Sequence, residues 1–183
     1  MSLLADRMAQ VRSDIRGPLF EEALRMQAEG QQVLKLNTGN PGTFGFPMPP
    51  SIKAALSARM DEAVPYCDLR GMPDARRVLL DYHLGKGVKV PSMEDVFIGN
   101  GISELALMLL SALLNPGDEL LVPAPVYTLW SNSARMLGAR PVSYRCDEQS
   151  AWYPDVADIV QGITPRTRAL LVINPNNPTG ALY

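Results

Sequence analysis

From Asp95 onward, short apolar runs alternate with amphipathic stretches, and this rhythm constrains the fold more than any other feature. Residues 96–98, 119–122, 141–144 and 169–173 read as strands, and residues 104–114, 126–137 and 154–161 read as the helices between them. Strands joined through a helix return to one sheet in the same direction. The expected class is α/β, a mainly parallel sheet with helices on both faces. Ala169-Leu170-Leu171-Val172-Ile173 is apolar throughout, as a strand covered on both faces must be. It delivers Asn174-Pro175-Asn176-Asn177-Pro178-Thr179-Gly180 at its carboxyl end, where open α/β sheets bind ligands. Each proline restricts the residue before it to extended backbone, so Asn174 and Asn177 are aimed rather than left flexible.

The amino-terminal half reads differently. Residues 3–15 and 18–29 are helical, the second with Pro18 in its first turn and Gly30 as its stop. Residues 33–36 read as a short strand entering a Gly/Pro-rich loop, 37–50. Residues 51–62 and 73–84 are amphipathic helices, with Val78, Leu79 and Tyr82 at helical spacing.

A chain of 183 residues, 46% hydrophobic and 20% charged, can bury one globular core. Seventeen basic residues against nineteen acidic give a net charge of −2, and no Lys/Arg cluster is interleaved with aromatics. Nucleic acid is therefore not an expected partner. Cys67 and Cys146 are far apart and lack a metal-ligand spacing; they fit a reducing compartment, and a single disulfide between them stays open. His83 is the only histidine, so a multi-His metal site is excluded, and no metal is expected. Its setting in an amphipathic helix gives it a structural role. No cationic segment followed by an apolar core opens the sequence, and no apolar run reaches membrane-spanning length. The expectation is a cytoplasmic protein with no membrane partner.

Ile98-Gly99-Asn100-Gly101-Ile102-Ser103-Glu104 joins a strand to a helix. Glycines let the backbone turn sharply, and the free N–H groups of Ile102 and Ser103 at the helix start, with the Ser103 hydroxyl, form a seat for phosphate. Gly99-x-Gly101 is also half of a dinucleotide fingerprint. Two departures weigh against that reading: Glu104 occupies the third glycine position, and Glu119 begins the second strand where an acid should end it. Tyr127 follows the strand 119–122 and can lie flat on a planar heteroaromatic ring; Trp130, one turn on, is assigned to packing.

Taken together, these segments resemble the fold-type I aminotransferases, which use pyridoxal 5'-phosphate. The residues 174–180 resemble that family's Asn-Pro-x-Asn-Pro-Thr-Gly block, and 101–104 its Gly-x-Ser-Glu phosphate loop. Pro125-Val126-Tyr127 resembles its Pro-x-Tyr. The stretch Tyr66-Cys67-Asp68-Leu69-Arg70-Gly71 resembles the segment whose tyrosine reaches the neighbour's cofactor phosphate across a dimer interface. Leu36-Asn37-Thr38-Gly39-Asn40-Pro41 resembles the loop covering the substrate. The matches at 13–18 and 163–168 make the chain most similar to the bacterial alanine (glutamate–pyruvate) aminotransferases.

The resemblance implies that Gly101, Ile102, Ser103, Tyr127, Asn177 and Tyr66 bind the cofactor, and that Gly39 and Asn177 bind the substrate. It implies cis bonds at Asn177–Pro178 and Ala124–Pro125, and a homodimer acting on a small amino acid and a 2-oxo acid. Residues 1–50 become an amino-terminal segment with a substrate-covering loop, and 51–183 an incomplete cofactor-binding domain. The family's cofactor-carrying lysine lies in a Ser-x-Ser-Lys block, and none of Lys35, Lys53, Lys86 and Lys89 sits in one. No catalytic residue is assigned, and the chain reads as the amino-terminal part of a longer protein, inactive by itself. Other readings of the same residues are a non-catalytic phosphate-binding fragment, and another aminotransferase or carbon–sulfur lyase of the same fold.

Overall fold

A computed structural model describes residues 3–12, 17–37, 39–90 and 92–183. The chain divides into two units, one formed by 1–14 with 100–183 and the other by 15–99.

The first unit is built on a four-stranded sheet. Strand β1 (Glu119–Ala124) pairs in parallel with β2 (Arg140–Asp147) and with β4 (Thr167–Leu170), and β2 pairs antiparallel with the two-residue β3 (Tyr153–Pro154). The order is β3-β2-β1-β4, a mixed but mostly parallel sheet. Three helices accompany it: α4 (Ile102–Leu113), α5 (Thr128–Met136) and α6 (Val156–Gly162).

Side chains of a strand alternate between faces, and β1 shows what that alternation buries. Leu120 and Val122 join Leu110, Leu114, Ala134 and Ala139 in one cluster, with Trp130 packed against it. Leu121 points the other way, into a cluster with Tyr144 and Cys146 that Trp152 and Ile159 cover. Helices α4 and α5 thus cover one face and α6 the other, which is why β1 is apolar on both sides. The Tyr144 hydroxyl, inside the second cluster, donates to the Leu171 carbonyl at 2.8 Å, and burial raises its pKa.

One charge lies inside this unit. Glu119 is fully buried and accepts hydrogen bonds from Arg140 (2.6 Å), Thr164 (2.7 Å) and Arg166 (3.1 Å). The segment 163–168 therefore has a structural task, the supply of partners to β1. The Arg140 contact, then Thr164, hold the Glu119 carboxyl at about 2 against its ordinary 4.5, over the opposing push of burial. A carboxyl with a depressed folded pKa stabilises the fold fully above its unfolded value and loses that contribution as pH falls through the folded one. Stability is expected to drop between about pH 4.5 and about pH 2. Urea unfolding across that window should show the slope in the unsubstituted protein and a reduced slope in Glu119→Gln; equal slopes would refute this role.

The second unit carries α1 (Pro18–Ala28), α2 (Pro50–Ala58) and α3 (Pro73–Gly85), each with proline in the first turn, where its missing N–H costs nothing. Val33 to Leu36, expected as a strand, forms none: Leu34 and Leu36 are exposed, and no neighbouring strand stands beside them among the described residues. Val96-Phe97-Ile98 is likewise not a sheet strand; the Ile98 N–H donates to the Arg70 carbonyl at 2.8 Å, and a single bond makes no ladder.

Other boundaries shift. The expected helix 3–15 reduces to a short 3-10 turn at Asp6–Gln10, after which Val11 is extended, and residues 13–15 lie outside the described residues. The last helix starts at Val156 rather than 154, because the Asp155 side chain accepts from the Ala157 and Asp158 amides at 3.0 and 3.1 Å and caps it there. Both cysteines are free thiols, Cys67 exposed and Cys146 buried. No helix among the described residues is long and apolar enough to cross a membrane.

Candidate active site at the carboxyl edge of the sheet

Because β1 and β4 run parallel, the loops that follow them leave the sheet at the same edge. Hydrogen bonds tie these loops together. The Tyr127 N–H donates to the Asn177 carbonyl at 3.0 Å, so two of the residues singled out from the sequence meet. Asn176 is 3% exposed, its amide donating to Thr179 Oγ1 at 3.0 Å and to the Pro125 carbonyl at 3.4 Å.

The 174–183 loop also closes on itself. The Gly180 N–H reaches the Asn176 carbonyl (2.7 Å), the Asn176 N–H reaches that of Ala181 (2.8 Å), and Asn174 exchanges side-chain hydrogen bonds with the Tyr183 backbone at 2.9 and 3.1 Å. Both peptide bonds expected to be cis, Ala124–Pro125 and Asn177–Pro178, are cis, and Asn174–Pro175 is cis as well.

This bracing leaves Asn177 with its backbone fixed and its side chain exposed, without a partner among the described residues. Tyr127 is half-buried at the start of α5, and Trp130 packs into the core below it. Asn176 Oδ1 is buried without a hydrogen-bond partner among the described residues.

Gly101 precedes α4 with φ of 83°, a conformation open to glycine and rarely to other residues. The first bond into that helix is donated by the Leu105 N–H to the Gly101 carbonyl at 3.3 Å. The amides of Ile102, Ser103 and Glu104 stand ahead of it, exposed and without an acceptor among the described residues, as the first turn of a helix requires. The Glu104 carboxylate turns back to accept from the Asn100 N–H. Such donors and a hydroxyl are the kind that bind an anion of phosphate type, and an aromatic ring such as that of Tyr127 can stack on a planar one. Asn177 adds a side chain that can both donate and accept.

Gly39 and Tyr66 belong to the other unit. Gly39 has open space around it, and its neighbour Thr38 lies outside the described residues, as do Ser13 to Arg16 of the 13–18 segment. Tyr66 is fully exposed. The turn after it is tightly held: Asp68 accepts from the Arg70 N–H (2.9 Å) and side chain (3.2 Å), and this pairing holds the Asp68 carboxyl down at about 2. No group of three or more metal-binding side chains occurs among the described residues.

Residues 31–183 match the family described as aminotransferase class I and II. The chain belongs to that family. The match is carried by relatives along its whole length. It is 46% identical over 179 residues to the glutamate–pyruvate aminotransferase AlaA of Escherichia coli (strain K12), covering 98% of this chain and 44% of that one. An alanine aminotransferase of Mycobacterium bovis is 47% identical over 178 residues, 97% of this chain and 42% of its own. A crystal structure of an aminotransferase from Escherichia coli superposes with a TM-score of 0.95 at 45% identity, over all of this chain and 45% of that one. The chain thus spans less than half the length of the relatives it matches.

Two side chains that shape these loops were not visible as functional in the sequence. Asn176 is the variable position of its motif, and nothing local signals its burial. Arg76 sits among charged neighbours on α3, and only the fold reveals that it is 1% exposed.

Proposed function

We propose that this chain is the cofactor- and substrate-binding part of a pyridoxal 5'-phosphate-dependent transaminase that exchanges amino groups between alanine and 2-oxoglutarate. The single observation that carries the reading is the hydrogen-bonded pairing of the Tyr127 and Asn177 loops at one sheet edge. That bond joins the backbone of Tyr127, whose side chain is half-buried, to the backbone of Asn177, whose side chain is exposed. The names of the relatives, glutamate–pyruvate and alanine aminotransferase, support the choice of substrates.

In this reading the amides of Gly101, Ile102 and Ser103 and the Ser103 hydroxyl hold the cofactor phosphate at the positive end of α4. Tyr127 stacks on the ring. Asn177 donates to the ring oxygen and to the substrate carboxylate, orienting one against the other. Gly39 brings its backbone amide to the substrate, and Tyr66 donates its phenol to the phosphate of a second copy, making the protein a homodimer. The exposed Tyr66 and the exposed apolar Met108 and Leu109 on α4 support association. When bound, the cofactor supplies an electron sink for the bonds at the substrate Cα.

Loss and return of the Cα proton need a base, and the 100–183 segment contains no lysine. We assign no catalytic residue to this chain and place the lysine that moves the proton in further sequence of the same protein. The 1–50 segment is read as the arm that covers the substrate, with 51–183 as the larger part of the cofactor domain, in a protein of the cytoplasm.

The test uses the longest polypeptide its gene encodes. Added pyridoxal 5'-phosphate is expected to give a visible absorbance band, and alanine with 2-oxoglutarate is expected to yield pyruvate. A phosphate-binding protein without transaminase activity would give neither.

A further inference from the structure

We infer that Arg76 is a positioning residue for Tyr66, acting through Asp68; the inference rests on the proposed donation from Tyr66 to a cofactor phosphate. Arg76 projects from α3 and its guanidinium is buried, so its N–H groups must find acceptors inside the protein. Its Nε donates to the Val96 carbonyl at 2.9 Å and one Nη to the Met93 carbonyl. Its other Nη faces Asp68 Oδ2 at 3.7 Å, and the Nη that donates to Met93 also lies 3.9 Å from Glu94 Oε1. One side chain thereby joins α3, the 93–96 segment and the turn that follows Tyr66.

That turn is fixed from the other side too. Arg70 pairs with Asp68 and with Glu94, and its carbonyl accepts from the Ile98 N–H at 2.8 Å. The Gly71 N–H donates to the Asp68 carbonyl at 2.8 Å. Gly71 has φ of 108°, and a Cβ there would fall 2.8 Å from Ile98 Cβ, so the backbone sits flush against this segment. Replacing a buried ionic group by well-packed apolar residues often leaves stability unchanged or improves it. The arrangement therefore points to fixed geometry at 68–71, the turn next to Tyr66, more than to stability. Two residues before Asp68, the Tyr66 side chain is fully exposed. A rigid platform carrying a free phenol is suited to meeting a group outside its own chain.

A double-mutant cycle on cofactor affinity tests this, in the longest polypeptide the gene encodes. Tyr66→Phe is expected to weaken pyridoxal 5'-phosphate about tenfold or more, as loss of a hydrogen bond to a charged group does. Arg76→Lys is expected to weaken it at least about threefold, within the range of coupling between contacting groups. In the Tyr66→Phe background, Arg76→Lys should add less than about twofold. Pyridoxal, which has no phosphate, should bind all four forms alike.

Additive effects, or pyridoxal weakened as much as the phosphate ester, would overturn the inference. Should Arg76→Lys give no soluble protein, Asp68→Asn replaces it in the same cycle, where non-additivity supports the inference and additivity overturns it. An unsubstituted protein that gives no absorbance band refutes the proposed function and this inference with it. Normal cofactor binding with additive variants refutes the inference alone.

Discussion

Asn177→Ala is expected to lower kcat/KM for the proposed alanine–2-oxoglutarate reaction ten- to a hundredfold in the longest polypeptide the gene encodes. Its side chain stands exposed on a loop whose backbone is pinned to Tyr127 at 3.0 Å and whose neighbour Asn176 is buried. The substitution therefore removes the amide without loosening its support. Losing a hydrogen bond to a charged group costs about 1.5–3 kcal/mol, which at about 1.36 kcal/mol per decade gives that range. Tyr127→Ala should instead loosen the cofactor through lost stacking, about 1 kcal/mol, with less effect on substrate choice. Pyruvate formation at varied alanine, with cofactor saturating, separates the two. Unchanged kcat/KM in Asn177→Ala would remove the residue from the site.

The second large effect is expected in the core. Leu120 is buried on β1 within the cluster shared by α4 and α5, and truncation to alanine leaves a cavity that rigid neighbours fill only in part. Such replacements cost about 2–5 kcal/mol, against a total stability of roughly 5–15 kcal/mol for a domain. Urea unfolding followed by the fluorescence of Trp130 and Trp152, which pack on the two core clusters of this unit, should show the midpoint fall accordingly. A shift worth less than about 1 kcal/mol would mean that the site collapses around the gap.

What is legible in the sequence follows from where the forces are local. The strand–helix rhythm after residue 100 can be read because burial on both faces of β1 forces Glu119 to Ala124 to be nearly all apolar. The turn at Gly101 and the loops at Pro125 and Pro178 can be read because glycine and proline act on their own backbone. Residues 33–36 and 96–98 mislead, since an apolar or β-branched run looks the same whether or not a neighbour completes a ladder. Asn176 is invisible for a similar reason: its burial depends on the Pro125 carbonyl, 51 residues away. The buried Arg76 depends on Val96, 20 residues away, and a charged residue on a helix is ordinarily read as solvated. Asn177 is legible because the proline after it restricts its own backbone, although the contact that pins its loop, from Tyr127, is distant in sequence.

The strand order has a consequence for chain entropy. β1 reaches β2 through a contact 21 residues away, Glu119 to Arg140, and reaches the start of β4 through one 47 residues away, Glu119 to Arg166. Loop-closure cost rises only with the logarithm of length, so the longer closure adds only about 0.7 kcal/mol over the shorter. A single net hydrogen bond, such as that from Tyr144 to the Leu171 carbonyl, contributes about 1 kcal/mol. One phenol on β2 is thus enough to offset the extra distance in sequence, and it holds the segment that leads from β4 to Asn177.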